Sequence, residues 1–567
     1  MPKLSTKPSV EDQFLAQVDS RLDKMSGSPP HVMIKALAGT GKTSTLIGWT
    51  MIHAGLKPKI EPSPQQKVIW DCLSLTEPGT SVRLVAFNKS IADELTLRLP
   101  KVDGIDASTC HSFGSRLVRQ HFGNLTCTRK TGKERIYDAL GLPFDEIREK
   151  KATVVEAVED LVSMVKCNLC GWDNVSKTLL PFTETDQWAS IFDKLCDTYE
   201  IMCGEHESEI YSLTLTVLKM SFNPLKDKRM TFDDMVWLPT VKNLTVPKVG
   251  VVLGDEMQDF NRMQQVLVMN MGHRVVVVGD ENQAIYGFAG ADIGGVGRLE
   301  KELNSTPRGL MVLPLTVTRR CSQAVVKEAR KYVPEFEAHP SNSQGQVLTK
   351  NYLAANVPDQ LKDEKWFAPM VEVGDRVICR SNAPLVGAAF MLIKLGKRVQ
   401  ILGRSIGYGL LKIIRDLKPA DVNDLILKIG EWHQVQCTKE RAKRIPSDTK
   451  LQGFTDRRDC IIFFCDNAKS TGEAGIEEVT AKIKDMFDDD EKHQTVIMSS
   501  VHKAKGLEAN RVFILKPNTG KKPKKAWQTH EERCIGWVSV TRAIDTLVFV
   551  NWPEKKGQSQ LAYEEDN

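Results

Sequence analysis

A chain of 567 residues is too long for one hydrophobic core, so two to four domains are expected. Its 41% hydrophobic and 26% charged content is ordinary globular material, which excludes a fibrous or disordered chain, and a formal charge of +5 permits a polyanionic partner without demanding one. No apolar run approaches the roughly 20 residues needed to cross a bilayer, the opening "MPKLSTKPSVEDQ" lacks an apolar leader, and 13 cysteines are scattered along the chain. The expectation is an intracellular protein with free thiols and no membrane partner, cytoplasmic if of bacterial or phage type and nuclear if eukaryotic.

In chain order, the first informative segment is "VMIKALAGTGKTSTL" at 32–46, a buried strand breaking into a glycine-rich turn that opens a helix. Backbone N–H groups of a loop holding Ala38, Gly39, Thr40 and Gly41 can face phosphates, because glycine lets the chain approach closely and a helix N-terminus favours negative charge. Lys42 would then reach the β- and γ-phosphates of a nucleotide and the Thr43 hydroxyl would ligate magnesium, with Ala36 standing where the strict loop formula has glycine. A connection of about 20 residues including "EPSPQQKVIWD" at 61–71 leads to the next strand at 82–87 and suggests no role of its own.

Further short apolar runs at 249–254, 274–279, 376–380, 399–403, 495–498, 511–515 and 546–550 read as buried strands of parallel sheets. They predict an α/β protein of two parallel-sheet cores, each interrupted by an insertion. The expected divisions are 1–111 and 241–313 for the first core around a helical insertion at 112–240, and 314–415 and 493–555 for the second around a short charged insertion at 416–492, with a polar tail at 556–567. The strand "VGVVLGDEMQD" at 249–259 ends in carboxylates, with Asp255 the candidate magnesium ligand and Glu256 the candidate base for an attacking water. The next strand leads to Gln283, which either bonds a terminal phosphate or makes local turn bonds.

In order, "ALAGTGKTS" (36–44), "LVAFNKSIADEL" (84–95), "ASTCHSFG" (107–114), "GDEMQD" (254–259), "GDENQAIYGFAGAD" (279–292), "LTVTRRCS" (315–322), "SSVHKAKGLE" (499–508) and "WVSVTRA" (537–543) make up a set. The chain resembles the UvrD/Rep type of superfamily 1 DNA helicases, most closely the compact phage-encoded and F-box-helicase-like members. The resemblance implies two RecA-like cores holding ATP and magnesium between them. Lys42, Thr43, Ser44, Asp255, Glu256 and Gln283 would come from the first, and Arg319, Arg320, Gly506, Glu508 and Arg542 from the second, with Gln13 reading adenine. It implies DNA contacts through Asn88, Lys89, Thr109, His111, Tyr286, Phe288, Ser500 and His502, aromatics stacking on bases and polar groups tracking phosphates. Single-stranded DNA and single/double-strand junctions are the implied substrates, and replication or recombination proteins the implied partners.

The chain also departs from that family. Arg319 and Ser44 stand where many relatives carry a tyrosine and an arginine that sandwich the base, and "FAGA" at 288–291 replaces "WRGA". The lysine-rich stretch 516–528 reads equally as a phosphate-contacting or a solvated loop, and Cys167 and Cys170 as packed thiols rather than metal ligands. The expected activity is ATP-driven 3′ to 5′ unwinding in replication, recombination or repair; a translocase that displaces bound proteins with little unwinding is the alternative.

Overall fold

The computed structural model describes residues 28–552 apart from 143–150, 200, 286–293, 352–366, 381–382, 396, 443–447, 471–474, 489–494 and 518–525. The chain forms two compact units, Met1–Val317 and Thr318–Asn567.

The first unit is built on a parallel six-stranded sheet. In chain order its elements are β1 (His31–Ala36), α1 (Lys42–His53), α2 (Pro64–Leu73), β2 (Val82–Ala86), α3 (Lys89–Arg98), β3 (Ile105–Thr109), α4 (Cys110–Phe122), α5 (Thr131–Leu140), α6 (Ala152–Cys167), α7 (Asp186–Tyr199), α8 (Glu207–Phe222), α9 (Phe232–Val241), β4 (Val249–Gly254), α10 (Arg262–Met271), β5 (Gly272–Gly279), α11 (Gly295–Asn304) and β6 (Leu310–Leu315). The strand order is β3-β2-β4-β5-β1-β6, with Val32 opposite Val276 and Val85 opposite Gly254. Alternation along β1 feeds two cores. Val32 and Ile34 join Leu46, Trp49, Ile69 and Leu95 of α1, α2 and α3, whereas Met33 joins Phe113, Trp237 and Leu267 of α4, α9 and α10 on the other face. Because every strand runs the same way, the segments after β1, β2, β3, β4 and β5 all emerge at one edge, where open parallel sheets place their ligands.

Helices α5 to α8 form a separate core around Leu161, Trp188, Phe192 and Leu218. A buried ion network joins that bundle to α9. Arg135 of α5 donates to Asp234 Oδ2 (2.6 Å) and to Asp227 Oδ2 (2.7 Å), and Lys166 of α6 donates to Asp234 Oδ1 (2.7 Å). Burial pushes the Asp234 carboxyl up, but Lys166 and Arg135 together outweigh it and hold it below the ordinary value.

The second unit carries a parallel seven-stranded sheet. Its elements are α12 (Gln323–Ala329), β7 (Gln346–Asn351), β8 (Arg376–Cys379), α13 (Ala383–Lys394), β9 (Val399–Leu402), α14 (Arg404–Leu417), α15 (Val422–Arg441), α16 (Asp448–Ser470), α17 (Ile476–Met486), β10 (Phe487–Asp488), β11 (Val496–Ser500), α18 (Val501–Ala504), β12 (Ala509–Pro517), α19 (Ala526–Val540) and β13 (Ala543–Trp552), in the strand order β7-β13-β12-β8-β11-β9-β10. The short second insertion is helical and shares the core of this sheet through Val422, Ile429, Phe464 and Ile483. Met486 and Phe487, at the end of α17 and the start of β10, are buried with it. The α/β expectation of two parallel-sheet cores agrees with this architecture.

Candidate nucleotide and nucleic-acid site

The chain leaves β1 through Gly39 (φ 68°) and Gly41 (φ 89°), backbone conformations that side-chain-bearing residues seldom adopt, and enters α1 at Lys42. Leu37 N–H donates to Leu315 O (2.9 Å), and Thr40 Oγ1 donates back to Leu37 O (2.9 Å), so the loop is closed on the sheet edge. Ala38 and Thr40 are buried, whereas Gly39, Thr43 and Ser44 are half-buried. Two contacts then join the loop to the end of β4. Lys42 Nζ lies 3.3 Å from Glu256 Oε1, and Thr43 Oγ1 donates to Asp255 Oδ2 at 2.7 Å.

The carboxylates are aimed by local backbone geometry. Asp255 N–H donates to Val85 O (3.1 Å), continuing the sheet, and Glu256 then takes φ 54°, a left-handed conformation that costs energy for glutamate. That turn puts successive side chains side by side. Gln258 Nε2 donates to Glu256 Oε2 (2.6 Å), Gln258 Oε1 accepts from Asp280 N–H (3.0 Å), and Gln283 Nε2 donates to Asp280 Oδ2 (2.7 Å). A relay of amides and carboxylates therefore spans the ends of β4 and β5. Burial, with the neighbouring Glu256, pushes the Asp255 carboxyl up to about 6, against the Thr43 hydrogen bond and the Lys42 charge. A hydroxyl and a carboxylate oxygen side by side are hard donors of the type magnesium takes, and a divalent cation there would favour the ionised carboxylate.

The same edge carries four of the expected DNA-contacting residues. Asn88 caps α3, its Oδ1 accepting from Ile91 N–H (2.9 Å), and Lys89 beside it is exposed. Thr109 caps α4 through a reciprocal pair with Ser112, and His111 follows one residue into that helix. Burial lowers the His111 pKa, opposed by Asp233. In the second unit, Ser500 and His502 lie at the C-terminal end of β11, where Ser500 caps the one-turn helix α18. At the N-terminal ends of β12 and β13 stand Glu508 and Arg542, and Ala509 N–H donates to Arg542 O (3.2 Å). The Arg320 guanidinium pairs with the Glu508 carboxylate. Arg542 is 2% exposed, with Nε donating to Val538 O (3.1 Å). Arg319 and Gly506 are exposed. Gln13, Tyr286 and Phe288 lie outside the described residues, as do Ala289 and positions 518–525 of the lysine-rich loop.

Residues 24–304 match the model of the UvrD/REP helicase N-terminal domain, and residues 440–553 match that of the UvrD-like helicase C-terminal domain, so the two together take in well over half of the chain. The chain belongs to the UvrD/Rep helicase family. Similar proteins include the ATP-dependent DNA helicase PcrA of Staphylococcus epidermidis, 22% identical over 92% of this chain and 81% of the relative. PcrA of Bacillus subtilis is 24% identical over 53% of this chain and 37% of its own length. F-box DNA helicase protein 1 of Schizosaccharomyces pombe is 24% identical over 46% of this chain and 26% of the relative.

Within this UvrD/Rep helicase, motif reading passed over Gln258 and Asp280, the two middle members of the relay. Their partners depend on the left-handed turn at Glu256, which no residue type announces. The one available signal was Gly279, where a Cβ would come within 2.6 Å of Gln258 Oε1. The CxxC thiols are packed groups. Asn261 Nδ2 donates to Cys167 Sγ (3.4 Å), burial pushes Cys170 up to about 12, and among the described residues no group of three or more His, Cys, Asp or Glu converges to hold a metal. No helix among them is long and apolar enough to cross a membrane.

Proposed function

We propose that the protein is an ATP-driven motor on single-stranded DNA that unwinds duplex with 3′ to 5′ polarity. The observation that carries this reading is the meeting of Lys42 and Thr43 with Asp255 and Glu256 at the edge of the first sheet. Lys42 reaches the β- and γ-phosphates, while Thr43 and Asp255 would hold magnesium, which would supply charge neutralisation on the phosphate oxygens. Glu256, held by Lys42 and Gln258, orients the attacking water and takes its proton. Gln283, fixed by Asp280, bonds the terminal phosphate. Arg320 and Arg542 of the second unit supply guanidinium charge to the transferring phosphoryl group, and Glu508, paired with Arg320, lies near the nucleotide sugar. Asn88, Lys89, Thr109, His111, Ser500 and His502 contact the strand.

The test is strand separation on duplexes carrying either a 3′ or a 5′ single-stranded tail, with ATP and magnesium. Unwinding of the 3′-tailed substrate alone is expected; preference for the 5′ tail reverses the polarity, and displacement of a bound protein without strand separation turns the reading to a translocase. Because phosphate contacts dominate such binding, affinity for single-stranded DNA is expected to fall steeply between 50 and 200 mM salt, roughly tenfold or more, with little dependence on base sequence. A flat salt response removes the phosphate-tracking role of Lys89.

A further inference from the structure

Segment 61–80, for which the sequence suggested no role, builds α2 and lays it against the phosphate loop. Ser63 and Gln66 form a reciprocal cap, Ser63 Oγ accepting from Gln66 N–H (3.2 Å) and Gln66 Oε1 accepting from Ser63 N–H (2.9 Å), with Pro64 opening the helix. Since Oε1 must face that N–H donor, the Gln66 amide nitrogen is turned the other way. It donates to Thr45 Oγ1 (2.9 Å), and the Thr45 hydroxyl donates to Gly41 O (2.8 Å). Gly41 is the left-handed residue immediately before Lys42, and a Cβ on it would sit 3.1 Å from Gln66 Nε2. One turn along, Trp70 Nε1 donates to Thr45 O (2.8 Å), and its ring covers Gly48 so closely that a Cβ there would lie 2.3 Å from Cζ2.

The helix is fixed at its other contacts too. Arg274 of β5 donates to Cys72 O and Leu73 O at its C-terminus (3.0 Å each). Gln65 forms a two-bond pair with Thr316, its Nε2 donating to Thr316 Oγ1 (3.0 Å) and its Oε1 accepting from Thr316 N–H (2.9 Å). Thr316 follows β6 and precedes Arg320 by four residues. Both glutamines are buried.

We propose that α2 is a positioning helix for ATP hydrolysis, in which Gln66 acts through Thr45 to hold the Gly41 carbonyl and hence the shape of the phosphate loop, while Gln65 ties the same helix to the strand end leading to Arg320. The proposal rests on the reading of 36–44 as the ATP loop. A phosphate loop works by aiming backbone N–H groups, and these stay aimed when the carbonyls between them have fixed partners.

The experiment compares full-length wild type with Gln66→Glu, Thr45→Val, the double variant and Lys42→Ala in steady-state ATP hydrolysis and thermal melting. Glutamate still completes the helix cap but cannot donate to Thr45, and Thr45→Val breaks the same link without adding a charge, so an effect shared by the two reports loop shape rather than the buried carboxylate. The expected result is a KM for ATP raised about tenfold in both Gln66→Glu and the uncharged Thr45→Val with kcat changed much less, both variants folded at the assay temperature with a lower Tm in Gln66→Glu where the carboxylate is buried, and a double variant no worse than the worse single one. Wild-type KM and kcat in Gln66→Glu, beside an inactive Lys42→Ala, overturns the proposal while leaving the ATP loop in place. Full hydrolysis by Lys42→Ala overturns the loop assignment and the proposal together.

Discussion

Glu256 is held on both sides, by the Lys42 ammonium and the Gln258 amide, in a backbone conformation glutamate avoids. A residue kept there at a cost of order 1 kcal/mol or more points to work for its carboxylate. Glu256→Gln is therefore expected to bind ATP with little change while turnover falls by roughly two to four orders of magnitude, measured by nucleotide binding beside single-turnover hydrolysis. Near-normal turnover removes it as the base. A second prediction concerns His31, whose Nδ1 accepts from Val275 N–H (2.9 Å) and so must be unprotonated. Burial, then Arg308 and Arg274, lower its pKa from 6.5 to about 4. The neutral ring thus contributes stability that is complete above pH 6.5 and is lost as pH falls towards 4. Tm measured across that window is expected to fall more steeply in wild type than in His31→Asn; parallel curves contradict this. At this scale the loop lysine and threonine and the strand-end carboxylates were legible because each motif is contiguous in sequence. The relay through Gln258 and the support from Gln66 and Trp70 were not, since they join residues whose proximity is created by folding.

Among the elements, the apolar runs read from the sequence all became internal strands, while β3, β6, β7 and β10 escaped notice, and these are the four edges of the two sheets. An edge strand has one neighbour and a partly solvated surface, so "IDAST" and "QVLTKN" tolerate polar residues, and β6 tolerates Pro314. A continuous apolar run reports a strand buried on both faces, and "IDAST" and "QVLTKN" contain none. Helix placement depends instead on close approaches. At Gly114 of α4, which carries His111, a Cβ would lie 2.0 Å from Met235 O of α9. Backbone cannot yield there as a flexible side chain can. Gly114→Ala is expected to cost about 1–3 kcal/mol, seen as a lower Tm together with weaker DNA binding, and an unchanged melt would show that α4 and α9 have room to part. The ion network at Asp234 of α9 has a different signature. Asp234→Ala takes from buried Lys166 the carboxylate it is paired with and leaves Arg135 to Asp227 alone, with an expected loss of about 3–5 kcal/mol by denaturant titration. A loss below ~1 kcal/mol would mean that water reaches both cations.

For the whole molecule, the residues proposed above to carry the chemistry are divided between the two units along the chain. The first carries the phosphate loop, both carboxylates and Gln283; the second carries Arg320, Glu508 and Arg542. The first set, with Glu508 and Arg542 of the second, stands at the ends of parallel-sheet strands whose interior members are among the most apolar stretches of the chain, whereas Arg320 lies in the segment before α12 and pairs with Glu508. Membership of the UvrD/Rep helicases rests on the match of residues 24–304 and 440–553 to that family's two domains, and coupling of ATP hydrolysis to single-stranded DNA is the central claim. The most direct measurement is steady-state ATP hydrolysis by wild type and Lys42→Ala, each without nucleic acid, with single-stranded DNA and with single-stranded RNA. The account predicts strong stimulation of wild type by DNA and its loss in Lys42→Ala; no stimulation of wild type by DNA, or hydrolysis retained by Lys42→Ala, would contradict it.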